Sequence, residues 1–186
     1  ADDDIIVSSE GDDTIYGDAG NDRIEGGYGN DFTQGGDGDD IITDIGGDDR
    51  LDGNEGNDVI HGGNGINLIL AGPGKDFVVS GSDSTEVFGG TGDDFIRGSL
   101  NDEQLLGGEG DDWIEEGTAD AAPGDNFDPF GQDLIVGNDI FVGNGSTDRF
   151  FAEGGDDIMY GNGGSGDRYI GDSGFDWAGF KDDAFG

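Results

Sequence analysis

Twelve consecutive nine-residue repeats run without a slip from Ser8 to Glu115. A period held over that length fixes the architecture before any other property of the chain does. The pattern is G-G-x-G-x-D-x-U-x, where U is a large apolar residue. Clear copies are Gly35-Gly36-Asp37-Gly38-Asp39-Asp40-Ile41-Ile42-Thr43 and Gly107-Gly108-Glu109-Gly110-Asp111-Asp112-Trp113-Ile114-Glu115. Positions 1 to 6 of each unit read as a turn and positions 7 to 9 as a short strand. Glycine at positions 1, 2 and 4 permits positive φ and close backbone approach. Position 8 is the inward residue: Ile15, Ile24, Thr33, Ile42, Leu51, Ile60, Ile69, Val78, Val87, Ile96, Leu105 and Ile114. All but Thr33 are branched aliphatics, which pack well on a pleated surface. Positions 7 and 9 then point outward, because side chains alternate along a strand.

Two repeats make one coil with a strand on each side, so each repeat stacks on the next but one at about 4.8 Å. Stacked turns gather their carbonyls and position-6 carboxylates around shared sites between neighbouring coils. Several oxygens, no nitrogen or sulfur, and flexible geometry suit calcium rather than zinc or copper. Charge agrees. The 186 residues carry 45 acids against 7 bases, a net charge of −38, with 31% hydrophobic residues and 42 glycines. Such a balance ordinarily leaves a chain disordered, yet these acids are spaced by the repeat rather than blocked. A fold that forms only when cations neutralise it is expected, with little structure in the metal-free chain. Nucleic acid and anionic lipid are disfavoured as partners. There is no cysteine for a disulfide or a thiolate site. No segment is apolar enough to span a membrane, and no signal peptide opens the chain. Ala1 begins just before a repeat, as a fragment of something longer would.

The repeats resemble those of the repeats-in-toxin (RTX, haemolysin-type) calcium-binding family. The resemblance implies an all-β fold, a right-handed parallel β-roll of two-repeat coils, binding several Ca2+ ions. It implies a bacterial, secreted, extracellular protein exported by type I secretion, with a signal at the extreme C-terminus. The closing Asp182-Asp183-Ala184-Phe185-Gly186 is only weakly signal-like.

The two edges of the roll are unequal. Even repeats carry an unbroken ladder at position 6: Asp22, Asp40, Asp58, Asp76, Asp94 and Asp112. Odd repeats carry Asp13, Asp31 and Asp49, then Asn67, Thr85 and Glu103. Turn glycines Gly17, Gly20, Gly35, Gly38, Gly53, Gly56, Gly89, Gly92, Gly107 and Gly110 supply backbone on the even edge, whereas Ser80-Gly81-Ser82-Asp83 and Gly98-Ser99-Leu100-Asn101 have lost position 4. A continuous calcium row is expected on the even edge, and calcium on the odd edge is expected to stop between Asp49 and Asn67. The alternative is that backbone carbonyls keep the degenerate sites alive. Lys75, beside Asp76, either weakens one even site or points to solvent. Position 7 of the even face forms an apolar stripe of Ile41, Val59, Phe77, Phe95 and Trp113, and position 9 of the odd face turns apolar late at Leu70, Phe88 and Leu106. Either the C-terminal segment or another domain covers the even stripe, or its side chains stack on an open face.

The chain divides into a regular roll over 1–115, a loop or insertion over 116–130, and an irregular continuation and cap over 131–186. Asp133, Asp157 and Asp176 are the tail's candidate ligands. Phe127, Phe130, Phe150, Phe151, Trp177 and Phe180 are expected to give the cap its apolar bulk, since a solenoid end exposes core and edge. Gly110-Asp111-Asp112-Trp113-Ile114-Glu115, Gly155-Asp156-Asp157-Ile158-Met159 and Gly174-Phe175-Asp176-Trp177-Ala178 are together similar to the RTX region of large secreted bacterial haem peroxidases of the animal type. That similarity implies a parent enzyme whose haem domains lie outside this chain, and neighbouring domains as partners.

No catalytic group emerges. His61, the only histidine, sits at an outward position 9, and the acid pairs Asp12-Asp13, Asp39-Asp40 and Asp93-Asp94 follow the repeat itself. Ice binding is disfavoured because positions 7 and 9 show no threonine array. Two functions remain: a calcium-dependent folding and secretion module, and a structural or adhesive module that attaches or self-associates through its apolar stripes.

Overall fold

In a computed structural model the chain is all-β. The structure describes residues 2–98, 104–115, 140–142, 149–151, 156–160, 168–170 and 174–179. In chain order the strands are β1 (Ile5–Val7), β2 (Thr14–Ala19), β3 (Arg23–Glu25), β4 (Phe32–Asp37), β5 (Ile41–Thr43) and β6 (Arg50–Glu55). Then come β7 (Val59–His61), β8 (Leu68–Pro73), β9 (Phe77–Val79), β10 (Glu86–Thr91), β11 (Phe95–Arg97), β12 (Gln104–Glu109) and β13 (Trp113–Glu115). The tail adds β14 (Ile140–Val142), β15 (Arg149–Phe151), β16 (Ile158–Tyr160), β17 (Arg168–Ile170) and β18 (Trp177–Gly179).

Even repeats and tail strands build one parallel sheet in the order β1-β3-β5-β7-β9-β11-β13-β14-β16-β18. Odd repeats build the facing sheet, β2-β4-β6-β8-β10-β12, and β15 pairs with β17. The register is that of a two-repeat coil: Ile24 lies opposite Ile42, and Val87 opposite Leu105. Position 8 fills the space between the sheets as the alternation demands, with Ile24, Ile42, Leu51, Ile60, Ile69, Val78, Val87 and Ile96 wholly buried. Thr33 is buried among them, its hydroxyl without a hydrogen-bond partner.

The two half-coils differ in a way the repeat pattern does not announce. Strands of even repeats are three residues long and end at position 9. Strands of odd repeats run on through positions 1 to 3 of the next repeat, as in Thr14–Ala19. Glycine's freedom is therefore needed at different places for different reasons. Positions 2 and 4 take positive φ, as Gly36 (+123°) and Gly38 (+137°) do, and a Cβ on Gly38 would run into the carbonyl of Gly20. Position 1 does not take positive φ, so its requirement is space alone.

Past Glu115 the sheet continues. β14 pairs with β13 at Trp113 opposite Ile140, β16 follows at Ile140 opposite Ile158, and β18 at Ile158 opposite Trp177. Among the described tail residues the buried apolar side chains are Phe141 and Met159, at position 8 by register. Trp177 is 54% exposed and packs edge-on against Tyr160, so it supplies no cap interior. Alternation explains the correction: Trp177 stands at an outward position 7. Phe127, Phe130 and Phe180, and the segment 116–130, lie outside the described residues, as do the side chains of Phe150 and Phe151.

The even stripe remains open. Ile41, Val59, Phe77 and Trp113 are exposed, and Phe77 stacks on Phe95 with ring centroids 4.8 Å apart and planes within 4°. β14, β16 and β18 extend that sheet at its edge rather than lying over it. On the odd face Leu70 and Phe88 are half-buried and Leu106 is buried.

Ile60→Ala, at the centre of the core, should destabilise the calcium-loaded chain by about 2–5 kcal/mol in chemical denaturation. Val59→Ala, one residue away on the outer face, should change it by about 0.5 kcal/mol or less.

Candidate metal centres

Every position-6 aspartate of the even edge is turned inward. Asp22, Asp40, Asp58, Asp76, Asp94 and Asp112 are each at most 3% exposed. One oxygen of each is committed to the backbone. The Asp22 amide donates to Asp40 Oδ1 at 2.7 Å, and Asp40 to Asp58, Asp58 to Asp76, Asp76 to Asp94 and Asp94 to Asp112, each at 2.8 Å. The ladder starts earlier than the regular repeats, with the Asp4 amide on Asp22 Oδ1 at 2.7 Å. Asp4 and Ile6 hold positions 6 and 8 of a partial unit before Ser8, which the array counted from Ser8 overlooks.

The other oxygen is buried and has no hydrogen-bond partner at Asp22, Asp40, Asp58, Asp76 and Asp94, in each case Oδ2. A buried carboxylate oxygen without a donor or a cation is strongly unfavourable. Here the pattern repeats coil after coil, so it is a property of the design. Position 1 shows what the orphan oxygens face. A Cβ on Gly17 would stand 2.6 Å from Asp22 Oδ2 and against the carbonyl of Gly35. On Gly89 it would stand 2.6 Å from Asp94 Oδ2 and against the carbonyl of Gly107. Gly35 and Gly53 abut Asp40 and Asp58 in the same way, and Gly107 abuts the Asp112 side chain. The turns of Asp22, Asp40, Asp58 and Asp94 thus each hold a pocket lined by a carboxylate oxygen and a carbonyl of the next coil, kept open by the missing side chain. Oxygen donors alone, of this number and sign, fit a hard divalent cation of calcium's kind.

Burial raises these carboxyls. Loss of water pushes Asp58 and Asp94 to about 7 and Asp76 and Asp112 to about 6, and raises Asp40.

The odd edge changes along its length. Asp13 donates its amide to Asp31 Oδ1 at 2.8 Å, Asp31 to Asp49 Oδ1 at 2.8 Å, and Asp49 to Asn67 Oδ1 at 2.9 Å. Asp13 Oδ2 accepts from the Ser8 hydroxyl, whereas Oδ2 of Asp31 and Asp49 is unpartnered. Beyond them the turns close on themselves. Asn67 Nδ2 donates to the Gly62 carbonyl at 2.7 Å, and the Thr85 hydroxyl to the Asp83 carbonyl at 3.2 Å. A neutral donor there occupies the carbonyl that an empty cation pocket would leave exposed. Glu103 lies outside the described residues, as does Asp133. In the tail, Asp157 repeats the even-edge pattern: it is 1% exposed, and its amide reaches Asp176 Oδ1 at 3.3 Å. Lys75 is turned to the surface, where it pairs with Asp93.

Two sets of residues escape a reading of position 6 alone. Position-5 side chains form a second ladder in the opposite sense, with the Asn57 amide on Asp39 Oδ1 at 2.8 Å and the Asp48 amide on Asn30 Oδ1 at 2.9 Å. The recurrence of Asp and Asn at position 5 is the signal for it. Asp44, at a position 1 where glycine is usual, turns into the odd edge: its Oδ2 would meet a Cβ on Gly26.

Fold and site together define a parallel β-solenoid whose turns are built around calcium. Residues 1–33, 25–60, 34–69, 52–87, 79–114 and 136–166 match the RTX calcium-binding nonapeptide repeat family. The chain belongs to that family, whose repeats bind Ca2+ as a structural module. No curated protein and no solved structure matches it. No helix among the described residues is long and apolar enough to cross a membrane.

A carboxyl raised in the folded state stabilises that state when protonated, an effect complete below about pH 4 and lost as pH rises through about 6 to 7. In chelator, acidification from pH 8 to 5 should therefore increase β-structure in far-ultraviolet circular dichroism. In calcium the protons compete with the metal, so the folding midpoint should move to higher calcium below about pH 7.

Proposed function

We propose that this chain is a calcium-driven folding module of a larger secreted bacterial protein, unfolded at low calcium during export and folded by external calcium. The observation that carries the reading is the row of orphaned Oδ2 atoms. Without a cation each coil of the even edge buries an ionised oxygen with no partner, and neighbouring coils repel one another. With a cation the same oxygen becomes a ligand. Binding energy then becomes folding energy, because the site exists only when two coils are stacked. Extracellular sites of weak affinity suffice, with dissociation constants of about 10⁻⁴–10⁻³ M.

On this reading the even edge holds metal along its whole length through Asp22, Asp40, Asp58, Asp76, Asp94 and Asp112. The odd edge holds it near Asp31 and Asp49 and is closed by hydrogen bonds from Asn67 onward. Ala71 makes the Asp76 site the weakest of the even row. It carries, at position 1, the methyl group that Gly17, Gly35, Gly53, Gly89 and Gly107 leave out. Asp157 and Asp176 extend the row into the tail. Type I secretion and a haem-peroxidase parent rest on family resemblance, the second on the tail segments alone. The exposed stripe of Ile41, Val59, Phe77 and Trp113 favours a second reading, attachment or self-association through that face.

A calcium titration followed by circular dichroism tests the first reading: a chain already folded in chelator would overturn it. Asp58→Ala should raise the calcium midpoint and lower the calcium-bound stoichiometry, whereas Thr85→Ala should leave the stoichiometry unchanged. Ala71→Gly should lower the midpoint. Sedimentation with and without calcium separates the readings, since calcium-driven folding to a monomer supports the module and concentration-dependent assembly supports attachment.

A further inference from the structure

Asp31, Asp44 and Asp49 bring one carboxylate oxygen each to within 4.8 Å of one another, the one such trio among the described residues. All three are buried, at 3%, 6% and 4% exposure. Each spends Oδ1 on a backbone amide: Asp13 donates to Asp31 and Asp31 to Asp49, while Gly46 donates to Asp44 at 2.8 Å. Oδ2 of each meets no donor group, and Asp44 and Asp49 lie close enough for their carboxyls to share a proton when no cation is present. Among the described residues no cation answers them, the ion pairs there being Arg50–Asp52 and Lys75–Asp93.

The trio arises because this coil departs from its own repeat. At position 1, where a missing side chain elsewhere keeps the pocket open, Asp44 supplies a carboxylate. It points toward the preceding coil on the same edge, into the space that Gly26 leaves free, and Asp31 Oδ2 would lie 3.1 Å from a Cβ on Gly26. The even-edge turns have no such third carboxylate.

We propose that Asp31, Asp44 and Asp49 form a three-carboxylate calcium site, the tightest of the array, which fills first as calcium rises and locks the N-terminal coils together. The inference rests on the calcium-module reading and deepens it. Affinity for a hard cation rises with the number of charged ligands in a flexible oxygen site. Three carboxylates held this close without a cation also repel one another, so removing the metal costs this coil more than any other. Folding with calcium then has an order: the trio orders its coil at the lowest calcium, and the two-sided even row zips onto that template. The site sits where the odd edge is about to lose its aspartates, so one reinforced site replaces the sites that Asn67 and Thr85 no longer provide.

Calcium titration of the full chain in competition with a chromophoric chelator tests this directly. The wild-type chain should show a first-filled class of sites ahead of the remainder. In Asp44→Gly, which restores the repeat's usual residue, that first class should weaken by about tenfold or more. The later sites and the circular-dichroism end point should remain. Asp44→Asn, which keeps an acceptor for the Gly46 amide but removes the charge, should do the same, guarding against a glycine variant that fails to fold. Asp58→Ala should leave the first class intact and weaken the later ones. An unchanged first class in both Asp44 variants would overturn the proposal while leaving the calcium module standing, whereas a wild-type chain that takes up no calcium would overturn both.

Discussion

A single unanswered oxygen, repeated once per coil, is the constraint on which the structure depends. The position-6 aspartate is drawn inward because one of its oxygens accepts the amide of the coil before it, and that bond ties successive turns together. The same bond carries the second oxygen below the surface, where no donor waits. In a metal-free chain at neutral pH the ladder is thus both adhesive and repulsive: Asp40 Oδ1 holds the Asp22 amide while its charge faces those of Asp22 and Asp58. Cations of modest affinity resolve the conflict, and protons do so in part.

The glycines follow from the same geometry. At position 4 glycine turns through positive φ beside the carbonyl of the previous coil, which disfavours a Cβ on two counts, whereas position 2 also takes Asp18 and Asn54 at positive φ. At position 1 the backbone is ordinary and only room is at issue. That distinction makes position 1 the place where the sequence can vary with chemical effect. Serine there caps Asp13, alanine puts a methyl in the turn of Asp76, and aspartate brings a third carboxylate beside Asp31 and Asp49. At position 4 a Cβ would instead run into the carbonyl of the previous coil, as at Gly38.

Much of this was legible in the sequence, for physical reasons that also mark its limits. The period gave the coil, the stacking of each repeat on the next but one, and the buried position 8. A spacing carried through twelve copies leaves no other register. It could not give the unequal half-coils, because the same nine-residue consensus is read as three strand residues at Glu25 and as six at Thr14–Ala19. The failing odd edge was visible in Asn67 and Thr85. That those residues close their own turns depends on which carbonyl each side chain reaches, and only coordinates supply it. Asp44 was passed over because at position 1 it looks like a lost glycine. Trp177 was read as interior because it is large and apolar, while the register that made it outward was already written in Ile158 and Met159.

Asymmetry between the edges has a consequence for how calcium and structure are coupled along the roll. A turn closed by Asn67 or Thr85 carries no orphaned charge, so it stays satisfied at any calcium concentration. Opposite it, Asp76 and Asp94 still face one another across the even edge and still need a cation. On the calcium-module reading, the coils closed by Asn67 and Thr85 are hinged: one edge is held by hydrogen bonds and the other only when metal is bound. Coils in the first half depend on metal at both edges. Loss of calcium should loosen the first half on two sides and the second on one. The carboxylate-rich turn at Asp31, Asp44 and Asp49 falls in the half that needs it more.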